Sequence, residues 1–135
     1  MIIADTNVLS EPWRKPPAPR VLAWLLAHES HPGVTTITLT ELRYSVERLT
    51  EGNRKRLLAR EIDKLAQAVS GRIFDFDDAT SEAYAKLRAE RDASGRTVSV
   101  EDTMIAAICL AHGHELVTRN TRDFDDTGIP LINPW

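Results

Sequence analysis

Ile2-Ile3-Ala4-Asp5-Thr6-Asn7 is the stretch whose reading decides the fold. Three consecutive apolar residues read as a short strand buried on both faces. Asp5-Thr6-Asn7 then supplies the oxygen-bearing side chains that start helices. A buried strand that hands an acid to a helix start is the opening unit of an α/β domain.

Further units follow downstream. Pro12, Pro16, Pro17 and Pro19 predict a loop over 12–19. Val21, Leu22, Trp24, Leu25 and Leu26 give a helix over Arg20–Glu29, broken by Pro32-Gly33. Val34–Ile37 is β-branched and predicts a second strand. Thr38 opens a helix with Leu42, Val46 and Leu49 on one face. Gly52-Asn53 ends it, and a second amphipathic helix over 54–69 turns Leu57, Leu58, Ile62, Leu65 and Val69 inward. Ile73–Phe76 alternates as a strand, and Asp78–Arg91 is helical. Ser99 starts an Ala- and Ile-rich helix through His112, closed by Gly113. Leu116–Thr118 is a strand, 119–128 a polar loop, and Pro130–Ile132 a last short strand. Short strands alternating with longer helices predict one domain over 1–135. Its expected form is a three-layer α/β sandwich with a short, largely parallel central sheet.

Composition narrows the function. Seventeen Lys and Arg against twenty Asp and Glu leave a formal net charge of −3. No global field draws the chain to polyanions, so any such ligand needs local arginines or bound cations. Cys109 stands alone, which excludes a disulfide framework and argues against a thiolate zinc site. No apolar run approaches the roughly 20 residues needed to cross a bilayer, and the N-terminus lacks a signal-peptide pattern. A cytoplasmic protein is expected.

Ligands of open parallel sheets bind at the carboxyl ends of the strands. Asp5, Glu41 and Asp102 fall at strand ends or helix starts, and Asn120 and Asp123 follow strand 116–118. Clustered carboxylates repel, and a hard cation such as Mg2+ or Mn2+ relieves that repulsion. A purely structural role is open to each acid. Asp5 can cap a helix, and Thr38-x-x-Glu41 and Ser99-x-x-Asp102 both match capping boxes. Arg119 and Arg122 flank the last acids and are candidate phosphate contacts. Arg54, Lys55, Arg56 and Arg60 read as a solvated helix face balanced by Glu61 and Asp63. His28, His31, His112 and His114 lack a metal-ligand spacing and are read as structural. Trp24 is expected in the core, and Trp13 at a surface or interface.

The motifs also carry a family resemblance. Asp5-Thr6-Asn7-Val8-Leu9-Ser10-Glu11, Thr38-Leu39-Thr40-Glu41-Leu42-Arg43, Ser99-Val100-Glu101-Asp102-Thr103-Met104-Ile105-Ala106-Ala107 and Leu116-Val117-Thr118-Arg119-Asn120-Thr121-Arg122-Asp123-Phe124 occur in order. With the ending Ile132-Asn133-Pro134-Trp135, they resemble PIN-domain proteins, most closely VapC- and FitB-type toxins of bacterial type II toxin–antitoxin pairs. The resemblance implies a PIN fold and Mg2+- or Mn2+-dependent endoribonuclease activity. It maps the metal-binding and catalytic acids onto Asp5, Glu41 and Asp102. It also implies an antitoxin partner that covers the acidic cleft, an RNA substrate and a homodimer, with helices 38–50 and 54–69 as candidate contact surfaces. Many relatives carry a fourth acid where this chain has Asn120, and Asp123 is the candidate replacement. Two other readings are a catalytically weak PIN-like module that binds RNA or protein, and a phosphoacceptor receiver domain. The receiver reading needs a late strand-end Lys, where this chain has Thr118-Arg119-Asn120.

Overall fold

A computed structural model describes residues 1–28 and 32–135. The expected helix end at Glu29 and the reading of His31 lie outside the described residues. Among the described residues five strands form: β1 (Ile2–Ala4), β2 (Val34–Thr35), β3 (Ile73–Phe74), β4 (Glu115–Val117) and β5 (Leu131–Ile132). β4 lies between β1 and β5, with Ile3 opposite Leu116 and Leu116 opposite Leu131, all parallel. β2 and β3 pair in parallel, Val34 opposite Ile73. A parallel bridge between Ile3 and Gly33 joins the two sheets, giving the order β3-β2-β1-β4-β5.

Six helices of the described residues surround the sheet: α1 (Thr6–Ser10), α2 (Pro19–Ala27), α3 (Thr36–Glu47), α4 (Asn53–Ala68), α5 (Asp78–Ala93) and α6 (Val100–His112). Strand side chains alternate between the two faces. Ala4 and Val117 pack with Val8, Val21, Leu42, Val46 and Ile62 from α1 to α4. Ile3 and Leu116 face the other way, onto Leu87, Ile105, Ala106 and Cys109 from α5 and α6 and onto Phe124. The outcome is the expected three-layer α/β arrangement. Full burial of Ile3, Ile105 and Leu116 contributes about 1.5–3 kcal/mol each. A helix cap is worth only about 1 kcal/mol, so packing dominates helix stability here. Gly113 ends α6 in the left-handed region at φ 70°, as its position predicts.

Several boundaries differ from expectation, each for a local reason. The proline stretch is not all loop. Glu11–Trp13 forms a 3-10 turn, and Pro19 opens α2, where a fixed φ and a missing N–H cost nothing. Glu11 Oε1 accepts the Ala18 N–H at 2.8 Å and closes the loop between them. β2 stops at Thr35 because Thr35 Oγ1 caps α3, accepting the Thr38 N–H at 3.0 Å. Helix α3 therefore begins two residues before the expected Thr38. β3 covers only Ile73–Phe74, since only those residues have a partner strand. In α4 the charges pair locally, Lys55 with Glu51 at 2.6 Å and Lys64 with Glu61 at 3.2 Å, while Leu57 is exposed rather than inward.

Gly33 sits where β2 crosses β1. Its N–H donates to the Ile2 carbonyl at 2.8 Å, and its carbonyl accepts the Ala4 N–H at 2.9 Å. A Cβ there would lie 2.6 Å from Phe74 Cε2 and 3.0 Å from Ile3 Cδ1. Gly33→Ala is expected to destabilise the protein by about 1–3 kcal/mol through overpacking. Urea unfolding measures this, and an unchanged midpoint would contradict the close approach.

A candidate acidic metal site at the switch point of the sheet

From β1 the chain passes to β2 on one side, whereas β4 lies on the other side of β1. The carboxyl ends of β1 and β4 therefore border the crevice in which α/β sheets bind ligands. Asp5 follows β1 directly and is 2% exposed. Its Oδ1 accepts the Thr6 N–H at 2.7 Å, so it does cap α1. Its Oδ2 accepts from Thr118 Oγ1 at 2.7 Å and from Asn7 Nδ2 at 3.3 Å. Burial pushes the Asp5 carboxyl up, while these three donors and the nearby Asp123 charge act in opposite directions, the donors lowering it.

Glu41 is not the capping residue its spacing suggested. Thr35 rather than Thr38 caps α3, which leaves Glu41 in the second turn. Thr6 Oγ1 donates to Glu41 Oε1 at 2.8 Å and turns the carboxylate toward Asp5. Partial burial raises its pKa, the Thr6 bond lowers it, and the charges of Asp5 and Glu101 raise it again.

Asp102 lies in the first turn of α6. Ser99 Oγ accepts the Asp102 N–H at 3.1 Å, so one half of the expected box forms. The Asp102 carboxyl faces Asp123 instead of closing the other half. Its pKa is pushed up to about 7, first by burial, then by the Asp5 charge, a hydrogen bond with Asp123 and the charges of Asp123 and Glu41.

The fourth position divides between the two candidates. Asn120 is exposed, and its N–H donates to Thr118 Oγ1 at 3.0 Å. Asp123, in a 3-10 turn over Thr121–Asp123, carries the carboxyl that reaches Asp102. Arg119 places its guanidinium 5.5 Å from the Trp135 ring centre, where the cation and the ring attract. Arg122 borders a polar cleft of about 390 Å3 beside Asp123, with Arg96, Thr97 and Asp125. A larger concavity of about 510 Å3 lies against Trp13, Leu57 and Leu58 and includes none of the four acids.

Thr6, Asn7 and Thr118 went unread as site residues, yet they orient the acids. Thr118 is fully buried, and its hydroxyl links Asp5, Asn7 and Asn120. Asn7 also accepts the Arg119 N–H at 3.2 Å, tying the first motif to the last. Their signal was adjacency, since each is a short hydroxyl or amide within two residues of a site candidate. Two of the histidines read as structural, His112 and His28, have structural partners. His112 Nε2 lies 2.9 Å from Asp77 Oδ2, and His28 Nδ1 lies 2.8 Å from the Trp24 carbonyl.

Among the described residues, no group of three or more His, Cys, Asp or Glu side chains is placed, as the side chains stand, to hold a metal ion. The donor set nevertheless fits a hard divalent cation. It is all oxygen, and Asp5, Glu41 and Asp102 are each pushed up by burial and by neighbouring acids, a repulsion that a cation relieves. Such a site can bind a cation and, through it, a phosphate ester.

Comparison with known proteins follows the same lines. The family model described as PIN domain matches residues 2–130. The chain is 36% identical to VapC ribonuclease Y4jK of Sinorhizobium fredii, covering 100% of this chain and 98% of that protein. It is 34% identical to Toxin FitB of Neisseria gonorrhoeae, covering 100% and 99%. The crystal structure of FitAcB from Neisseria gonorrhoeae superposes with a TM-score of 0.92 at 35% identity, covering 100% and 99%.

Proposed function

Because the chain belongs to the PIN-domain family, we propose that it is the toxin of a type II toxin–antitoxin pair, an endoribonuclease that depends on a divalent metal. The observation that carries this reading is the convergence of Asp5, Glu41, Asp102 and Asp123 at the carboxyl ends of β1 and β4, where each charge is felt by another. Mg2+ or Mn2+ held there supplies positive charge that acidifies a bound water and neutralises the phosphate.

The protein's own groups do the rest. Asp5 and Asp102 would hold the cation, and Thr6, Asn7 and Thr118 fix the Asp5 oxygens so that binding would cost little reorganisation. Asp123 adds the carboxylate that Asn120 lacks. Glu41, steered by Thr6, takes the proton of the water that attacks phosphorus. The water oxygen bonds phosphorus as the P–O ester bond breaks, the leaving oxygen takes a proton from solvent, and Glu41 returns its own proton to solvent. Arg119 and Arg122 at the rim hold flanking phosphates. The partner is an antitoxin whose guanidinium group enters the acidic cleft, since such a group substitutes for the missing cation charge. Among the described residues, no helix is long and apolar enough to cross a membrane.

The test is cleavage of RNA with Mg2+ or Mn2+, with and without chelator, for the native chain and Asp5→Ala. Metal-dependent cleavage lost in the variant is expected. Activity that survives chelation, or that Asp5→Ala retains in full, would overturn the proposal. The binding-module reading drew on Asn120, and Asp123 beside Asp102 speaks for the enzyme. Metal binding without RNA cleavage would restore it.

A further inference from the structure

Arg91, near the end of α5, is 3% exposed, although arginine is almost never buried without partners. Its guanidinium makes a two-pronged contact with Asp126, Nε to Oδ2 at 2.9 Å and Nη2 to Oδ1 at 2.8 Å. The remaining donors reach two further places. Nη1 donates to Thr103 Oγ1 at 2.9 Å, and Nη2 to the Asp123 carbonyl at 2.7 Å. Thr103 follows Asp102 in the chain, and its hydroxyl donates to the Ser99 carbonyl at 2.9 Å. One buried cation thus grips the backbone of Asp123 and the helix turn that carries Asp102. Arg96 holds the same loop from outside, bonding Asp125 at 2.6 Å and the Arg122 carbonyl.

We propose that Arg91 is a positioning residue that sets the spacing between Asp102 and Asp123, and so the affinity of the acidic site for a divalent cation. This rests on the metal-nuclease reading above. The geometry demands arginine, because four hydrogen bonds leave one planar fork in three directions. A lysine ammonium at the end of a flexible stem cannot reproduce them together. The two acids come from elements remote in sequence, a helix start and a loop after β4, and their side chains alone would repel at neutral pH. A fixed internal cation bonded to both carriers holds them in place before any external cation arrives. Arg91 touches neither substrate nor metal in this scheme.

The experiment compares native chain, Arg91→Lys, Asp126→Asn and Ile62→Val. Ile62 is a buried residue of α4 in the opposite core layer, and its truncation lowers stability away from the acid-bearing loop. Melting temperature, Mn2+ affinity by calorimetry, and kcat and KM for RNA are measured for each. Arg91→Lys is expected to weaken Mn2+ binding by roughly tenfold or more, as loss of a ligand-supporting partner typically does. Its kcat should fall while KM for RNA holds. Asp126→Asn should weaken Mn2+ binding to a smaller degree, and Ile62→Val should leave it unchanged. If Arg91→Lys fails to fold, the Asp126→Asn comparison decides. Native-like Mn2+ affinity in a folded Arg91→Lys, or in Asp126→Asn in that event, overturns the proposal. So does a loss matched by Ile62→Val. A native chain that binds Mn2+ but cleaves no RNA sinks only the nuclease reading, since the affinity comparison still stands. A native chain that binds no Mn2+ sinks both.

Discussion

Asp102→Asn is expected to abolish most RNA cleavage and, in the same protein, to stabilise the metal-free fold at neutral and alkaline pH. The activity loss should be roughly 10²–10³-fold or more, the scale seen when one preorganised charge-stabilising group is removed from an active site. The stability gain follows from linkage. In the folded chain the Asp102 carboxyl titrates at about 7, far above the ordinary carboxylate range, because it is partly buried among Asp5, Asp123 and Glu41. The folded state therefore binds a proton that the unfolded state has already released. Stability from this group is full below the unfolded value and is lost as pH rises through about 7. The melting temperature of the metal-free native chain should thus fall between about pH 5 and about pH 8. Asn carries no charge at either end of that range, so the variant should show a flatter profile. Mn2+ should restore the native chain at the alkaline end and do little for the variant. Calorimetric melting across pH, with and without Mn2+, checks all three points. An Asp102→Asn protein with near-native activity, or with an unaltered pH profile, would count against the assigned role.

The largest effect on stability is expected at Phe124. It is fully buried, the largest of the side chains without solvent contact, and packs with Ile3, Leu87, Ile105, Leu116 and Ile129. Phe124→Ala should cost about 3–5 kcal/mol, a transfer loss plus the cavity left behind. Phe124 is also the residue after Asp123, so it anchors the acid-bearing loop to the core under α5 and α6. Cleavage should therefore drop further than the folded fraction alone explains. Urea unfolding and activity at low temperature separate the two losses. A cost below about 1 kcal/mol would mean that the site collapses around the cavity, contrary to the close packing of such cores.

The layers and the central acids were legible in the sequence because each rests on local signals. Alternating apolar residues such as Ile3, Ala4, Leu116 and Val117 mark sheet faces directly. Ser99 and Gly113 bracket α6 by cap chemistry that acts within one turn. The start of α3 was misplaced because three closely spaced threonines, Thr35, Thr36 and Thr38, offer several equivalent caps. Pairing of Thr35 with Phe74 ends the strand there and leaves Thr35 as the cap, and strand pairing is a tertiary property. Proline at 19 read as a loop residue because the same fixed φ serves loops and first helical turns alike. The ties from Thr6 to Glu41, from Thr118 to Asp5 and from Arg91 to Asp123 join distant parts of the chain. No periodicity reports such ties, although the motifs containing most of their members were in plain view.

The bond from Thr118 to Asp5 joins residues 113 apart along the chain, beside the pairing of β1 with β4. Asp5 finds its local partners Thr6 and Asn7 at once, but Thr118 and Asp123 reach it only when a long loop closes. A nascent chain that has not yet released the segment from β4 to Asp123 therefore lacks the cutting site, whatever local helices it has formed. For a protein that destroys RNA, this order of assembly spares the message and the ribosome in use until that segment has emerged.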